Sequence, residues 1–202
     1  MIRKKKVNIF VNFNRREDLQ VKKLKKIIKS GTLGKVKFVN SVYSKGILNN
    51  GIHLLDLLLF LFNKISILKV FNNNQNKNFL DKPISFILKG DGNFPIFVNN
   101  LTNKNFSIFE IDVFFDNGRL KYCDNGFKII RYNFEKNKYF KNKMKLTSKP
   151  TSKNTEFLKS FKNQYIKIQK IIFNKNKNIN FSEYEKIHNL CFDIINKSND
   201  RL

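Results

Sequence analysis

The stretch Ile52–Phe62, Ile-His-Leu-Leu-Asp-Leu-Leu-Leu-Phe-Leu-Phe, constrains this chain more than any other. His53 and Asp56 are its two polar side chains. A membrane-crossing helix needs about 20 apolar residues, so this segment is about half a span. A surface helix has one wet face, whereas here apolar residues surround the axis. The spacing therefore predicts a helix over Gly51–Phe62 that is sandwiched inside the molecule, and the rest of the chain must cover it.

The flanking segments offer that cover. Val7–Phe13 (VNIFVNF) reads as a short strand. Asp18 can cap a helix to about Ser30, with Gly31 as its stop. Val21, Leu24, Ile27 and Ile28 form the apolar face of that helix, and its lysines form the wet one. A strand follows near Val36–Tyr43, then a polar loop over Ser44–Asn50. From Ile65 to about Tyr139 the pattern changes to β-branched and aromatic runs: Ile65–Phe71, Ile84–Lys89, Ile96–Leu101, Phe106–Phe115, Arg119–Cys123 and Phe127–Tyr132. Two Asp-Asn-Gly turns divide the last three, so an antiparallel meander is expected. Residues 133–153 are rich in Lys and Asn and read as a mobile connection. Two helices close the chain, the first with Phe157, Phe161, Tyr165, Ile168 and Ile172 on one face. The second opens at a Ser182/Glu185 capping box and carries the stripe Tyr184, Ile187, Cys191 and Ile194. Helix and strand runs in this order indicate an α+β fold with one large sheet.

With 40 Lys+Arg against 15 Asp+Glu, the net charge of +25 suggests a nucleic-acid or anionic-membrane binder. Six of those 40 are Arg, however, and base and phosphate recognition favours the guanidinium fork. The chain has 31 Asn and 22 Phe but no Ala or Trp, a composition expected of very AT-rich coding DNA. The excess lysine is read as drift on solvated faces, so neither nucleic acid nor membrane is the expected partner. No RNP1-like motif interleaves the Phe residues with basic ones. Cys123 and Cys191 lack any CxxC or ligand cluster, which argues against zinc and a disulfide framework and for a reducing cytoplasm.

The chemistry concentrates in Tyr43-Ser-Lys-Gly-Ile-Leu-Asn-Asn-Gly-Ile-His-Leu-Leu-Asp56. Asn49 or Asn50 should cap the helix and put His53 in its first turn, where unpaired N–H groups disfavour an imidazolium. A neutral His can accept a proton as a general base. Asp56, three residues on, could orient the ring or raise its pKa. The bland alternative is a His bonded to a backbone carbonyl and an Asp supporting the loop. Arg15 and Arg16 close the first strand and could grip a phosphate or carboxylate, or simply bond loop carbonyls. Tyr43 and Lys45 are weaker candidates, and His188 reads as core edge.

These residues resemble a known family. Val11-Asn-Phe-Asn-Arg-Arg-Glu-Asp18, the helix ending Gly-Thr-Leu-Gly-Lys35, and Asn-Asn-Gly-Ile-His-Leu-Leu-Asp56 look like the second domain of the Gfo/Idh/MocA oxidoreductases, in the family's order. The resemblance implies a large, mostly antiparallel sheet with helices packed on one face, used for substrate binding and often for oligomerisation. It implies an NAD(P)-dependent dehydrogenase whose cofactor, NAD or NADP, lies on a separate Rossmann domain. It assigns His53 to moving a substrate hydroxyl proton. With it Asn49 is expected to be catalytic, Arg15, Arg16, Tyr43 and Asn50 to bind the substrate, and Asp56 to support the site. The substrate class would be a sugar or sugar nucleotide, as in sugar and polysaccharide metabolism.

The departures shape the expectation. No G-x-G-x-x-G and no E-K-P lysine occur, and Asn49 stands where many members have Asp. Residues 1–14 are read as the leftover terminal strand of a missing nucleotide-binding domain and 15–202 as the substrate and oligomerisation domain. No cofactor is expected to bind this chain alone, and a separate Rossmann-domain chain is a possible partner. A non-catalytic scaffold that forms homo-oligomers through the sheet is the second expectation, and a basic nucleic-acid binder the third.

Overall fold

The computed structural model describes residues 10–71, 81–102, 105–173 and 181–199. Helix α1 spans Leu19–Ser30, and the Asp18 carboxylate accepts from the Gln20 and Val21 amides at its start. Gly31, at φ 69°, ends it in the left-handed region that a Cβ disfavours. Strand β1 (Val36–Ser44) and helix α2 (Ile52–Phe62) follow, and then six strands in succession. These are β2 (Ile65–Val70), β3 (Phe86–Gly90), β4 (Pro95–Leu101), β5 (Phe109–Phe115), β6 (Gly118–Cys123) and β7 (Lys128–Lys136). Two short strands, β8 (Met144–Leu146) and β9 (Thr151–Asn154), precede α3 (Phe157–Phe173) and α4 (Phe181–Asn199).

The strands form one large, mostly antiparallel sheet in the order β2-β3-β4-β1-β5-β6-β7-β8, with β9 also on β7. The expected meander is thus interrupted: β1 lies between β4, which it meets in parallel, and β5, which it meets antiparallel. Its register sets Val39 and Ser41 between Ile96 and Val98 on one side and Val113 and Ile111 on the other. All six are buried, so β1 supplies the middle of the core. A central strand must bond on both edges, and runs that are neighbours in sequence cannot reveal that insertion.

Residues 133–153 are likewise no open connection, because β7 extends to Lys136 and β8 and β9 pair back onto it. Val7–Ile9 of the expected first strand lie outside the described residues, and Phe10–Phe13 run as irregular chain.

Helix α2 is enclosed as its composition requires. Leu54, Leu55, Leu57 and Leu58 are buried, packed in the core that also holds Ile187, Cys191 and Ile194 of α4 and Val21 and Leu24 of α1. The facing strands alternate cleanly, as in β5, where Phe109, Ile111, Val113 and Phe115 turn inward. The helices cover that inner face. On the other face Phe38 stacks on Phe114 with centroids 4.3 Å apart, and Arg119 lies over both Phe114 and Tyr132 while bonded to Asp112.

Helix α3 departs from its predicted apolar face. Phe161, Tyr165 and Ile172 are exposed, and the helix rests on residues 11–17 through polar contacts. Asn14 Nδ2 donates to Ser160 Oγ, Asn163 to the Glu17 carbonyl and Gln164 to the Val11 carbonyl. An irregular segment needs partners for its backbone carbonyls, and that need selects the polar face of α3. Among the described residues no helix is long and apolar enough to cross a membrane.

Truncating Leu58 to Ala should cost about 2–5 kcal/mol by urea unfolding. Leu68→Ala, at a side chain 57% exposed on β2, should change stability by less than about 0.5 kcal/mol. Equal losses would refute the burial pattern described.

Candidate functional site

The site grows from the backbone between β1 and α2. Lys45 takes a positive φ of 66°, and Ile47–Gly51 form one turn of π-helix in which the Gly51 amide donates to the Gly46 carbonyl. The turn is clamped from a distance. Asp81 Oδ1 accepts from the Leu48 amide at 2.6 Å, and the Ile47 amide donates to the Lys82 carbonyl. Gly46 leaves room for this clamp, since a Cβ would fall 2.0 Å from the Asp81 carboxyl carbon and displace it. Asn49 and Asn50 are therefore not helix caps: α2 has no side-chain cap, and Asp81 binds the free amide in their place. Asn49 is exposed, Asn50 is half-buried, and His53 follows as the second residue of α2.

The His53 ring is half-buried, edge-on to Phe13 with centroids 5.6 Å apart. Among the described residues its nitrogens make no hydrogen bond. Burial lowers its pKa below 6.5, and the charge of Arg15 lowers it further. The neutral state expected from the sequence thus arises from burial and a neighbouring cation. Phe13 also meets Tyr184 and His188 of α4, so one ring joins the Arg15–Arg16 segment, α2 and α4. His188 Nδ1 lies 2.8 Å from the Tyr184 carbonyl, as a core-edge residue would.

Asp56 does not orient the imidazole. It is buried, with both oxygens on Arg16, whose Nη1 reaches Glu183 at 3.0 Å. Burial pushes the Asp56 carboxyl up to about 7 against the opposing pull of Arg16. Burial also opposes the Arg16 charge, but its contacts with Asp56 and Glu183 outweigh this, so the Arg16 pKa rises.

Arg15 and Arg16 occupy a short 3-10 turn, Asn14–Glu17, and their side chains diverge. Arg15 Nη1 donates to Tyr122 Oη and the Asn125 carbonyl, each at 3.1 Å, with its guanidinium over the Phe109 and Phe157 rings. Tyr43 is buried and donates its hydroxyl to the Ile84 carbonyl at 2.6 Å; burial raises its pKa. The structure thus brings His53 and Arg16 onto Phe13, sets Asp56 behind Arg16, turns Arg15 toward Tyr122, and places Tyr43 beneath the π-turn as a packing residue. Sequence reasoning missed Phe13, Asp81 and Glu183. Glu183 lies 167 residues from Arg16 in sequence, and no local pattern links the two.

The carboxylates already present also decide what fits a dinucleotide. Asp18 occupies the amides at the start of α1, and Asp81 holds one in the turn leading into α2. Both places therefore already hold a carboxylate where a pyrophosphate would bring its charge. The three histidine, cysteine and carboxylate groups that could hold a metal ion occur together nowhere among the described residues.

No protein-family model matches the sequence, and no curated protein matches it. The fold does match solved structures. An oxidoreductase of Desulfitobacterium hafniense aligns over 98% of this chain and 64% of its own, with TM-score 0.76 and 13% identity. A dehydrogenase (MviM) of Clostridium difficile aligns over 96% and 64%, with TM-score 0.67 and 20% identity. An oxidoreductase of Agrobacterium radiobacter, solved with NAD+, L-tartaric acid and magnesium, aligns over 96% and 64%, with TM-score 0.65 and 15% identity. The chain therefore spans 64% of the length of these enzymes and shares the fold of that part.

The protein has two His residues, so proton NMR of the wild type and of His188→Asn assigns both ring signals. His53 should titrate below 6.5, and Arg15→Met should move its midpoint upward. Because the unfolded chain takes up this proton first, the group lowers stability as pH falls from 6.5 toward the depressed value. A midpoint at or above 6.5 would contradict the site's electrostatics.

Proposed function

We propose that residues 15–202 are the substrate-binding and oligomerisation domain of a Gfo/Idh/MocA-type NAD(P)-dependent oxidoreductase acting on a sugar or sugar nucleotide. Residues 1–14 are then the edge of a nucleotide-binding domain, and the nicotinamide belongs to a Rossmann domain outside 15–202. The observation that carries this reading is His53, an imidazole with no protein hydrogen-bond partner among the described residues, held neutral by burial and the charge of Arg15. Its location in a fold shared with oxidoreductases adds weight. His53 takes the proton of a substrate hydroxyl, and the exposed Asn49 and half-buried Asn50 bond neighbouring hydroxyls from the π-turn. Arg15 contributes positive potential to a carboxylate or phosphate on the substrate. Arg16 acts from behind, by fixing α2 through Asp56. The L-tartaric acid bound to the Agrobacterium radiobacter enzyme is a hydroxy acid, with the hydroxyl and carboxylate groups that this reading requires of a substrate. The setting is a cytoplasmic enzyme.

A specific observation also favours homo-oligomers through the sheet. The outer face carries the strip Phe38, Phe114, Arg119 and Tyr132 across four strands, a half-buried surface of three aromatic rings and an arginine suited to a second copy. A scaffold that kept this surface and lost the reaction is the alternative that His53 must exclude.

In a reconstituted pair of this chain with a Rossmann-domain chain, His53→Ala should lower kcat by about 10²-fold or more. The chain alone should bind NAD(H) and NADP(H) no more tightly than adenosine diphosphate by calorimetry. An unchanged rate would remove the proton-transfer role, and cofactor binding at least tenfold tighter than that of adenosine diphosphate would overturn the domain assignment.

A further inference from the structure

A groove of about 740 Å³ runs along the flank of the molecule between α1, α3 and the start of α4. Five cations line it, namely Arg16, Lys22, Lys25, Lys167 and Lys170, against two carboxylates, Glu17 and Glu183. Both carboxylates are already taken. Glu17 is buried and bridges the two helices, holding Lys22 at 2.6 Å and Lys167 at 2.5 Å. Glu183 is paired with Arg16. Lys25 and Lys170, each three residues beyond a bridged lysine, form no ion pair among the described residues. Lys25 is half-buried, with its ammonium 4.2 Å from the centroid of Phe60 in the groove wall.

The Glu17 bridge shows what this surface accepts: one anion, shared by a lysine from α1 and a lysine from α3. We propose that the groove is a binding site for a diphosphate-bearing ligand, whose anionic groups meet Lys25 and Lys170 as Glu17 meets Lys22 and Lys167. The volume falls within the range of small-molecule sites, about 300–1,000 Å³, and far exceeds what a single phosphate needs. Phe60, Leu19 and Ile166 supply apolar wall for an organic part beside the charges. Lys25 also has a reason to welcome an anion. Burial lowers its pKa and the charge of Arg16 lowers it further, against an opposing pull from Glu183, so an anion in the groove relieves a partly desolvated cation that makes no ion pair among the described residues. This site does not depend on the reading of His53: Arg16 is the residue they share, and its fork is committed to Asp56 and Glu183.

With a net charge of +25, diffuse attraction of any anion is the competing explanation. Titration calorimetry of the full chain at 150 mM salt therefore compares inorganic pyrophosphate, adenosine diphosphate and inorganic phosphate. Two double variants are matched in charge: Lys25→Glu/Lys170→Glu in the groove and Lys141→Glu/Lys143→Glu in an exposed loop. Pyrophosphate or adenosine diphosphate should bind with a Kd below 1 mM and more tightly than phosphate. The groove variant should weaken that binding at least tenfold and the loop variant less than twofold. Tighter binding of adenosine diphosphate assigns the site to an organic diphosphate, and equal binding to the inorganic ion. Equal weakening by both variants, or no diphosphate binding below 1 mM, would overturn the proposal. Circular-dichroism melts confirm that both variants fold, as substitutions at lysines outside the core allow.

Discussion

The pairing of Arg16 with Asp56 is the contact on which the rest of the structure depends. Asp56 is a carboxylate inside the most apolar helix of the chain, and such a group is tolerated when a fixed cation meets it. Arg16 meets it through two nitrogens and extends to Glu183 on α4. One side chain thereby ties the 3-10 turn Asn14–Glu17 to α2 and α4. The neighbours of that turn follow: Phe13 packs on His53, and Arg15 is turned the other way, against the sheet at Tyr122. A buried ion pair adds little net stability but penalises every alternative docking that would leave its charges unmatched. Here that penalty sets the orientation of α2, and with it the position of His53.

A second constraint acts at the other end of the same helix turn. The π-turn Ile47–Gly51 has no local side chain to satisfy its amides, and Asp81 does so from the segment leading into β3. Tyr43 fills the space under Gly51, where a Cβ would lie 3.1 Å from its ring. Burial pushes the Cys191 thiol, which packs near the Ile47 carbonyl, up to about 12, so it behaves as an apolar filler. The imidazole is thus held between a clamp on its turn and an ion pair on its helix. The groove on the flank uses the same chemistry in an exposed form, with Glu17 tying α1 to α3 as Asp56 ties the turn to α2.

What the sequence revealed and what it concealed divide along physical lines. The α1 boundaries at Asp18 and Gly31 were legible because capping is decided within a few residues. The burial of α2 was legible because no other environment suits eleven residues with two polar side chains. Most strands were legible from alternation and turn residues, but the place of β1 in the middle of the sheet was not, since pairing partners 57–79 residues away leave no local trace. The same limit concealed Asp81 and Glu183. Asn49 and Asn50 are the local candidates for a cap, whereas the structure brings the capping carboxylate of Asp81 from another loop. The neutrality of His53 agrees with the expectation, but it comes from burial and Arg15 in place of a helix terminus.

The most direct test of this account is a double-mutant cycle between Arg16→Met and Asp56→Leu, read by urea unfolding and by the His53 NMR signal. Asp56→Leu should destabilise the fold by stranding the Arg16 charge, Arg16→Met by leaving a buried carboxyl without its partner, and the double change should recover most of either loss. Each single change should also shift the His53 resonance, because the helix carrying it is no longer held in place. Additive losses within about 0.5 kcal/mol, with an unmoved His53 signal, would contradict the claim that this pair positions the site.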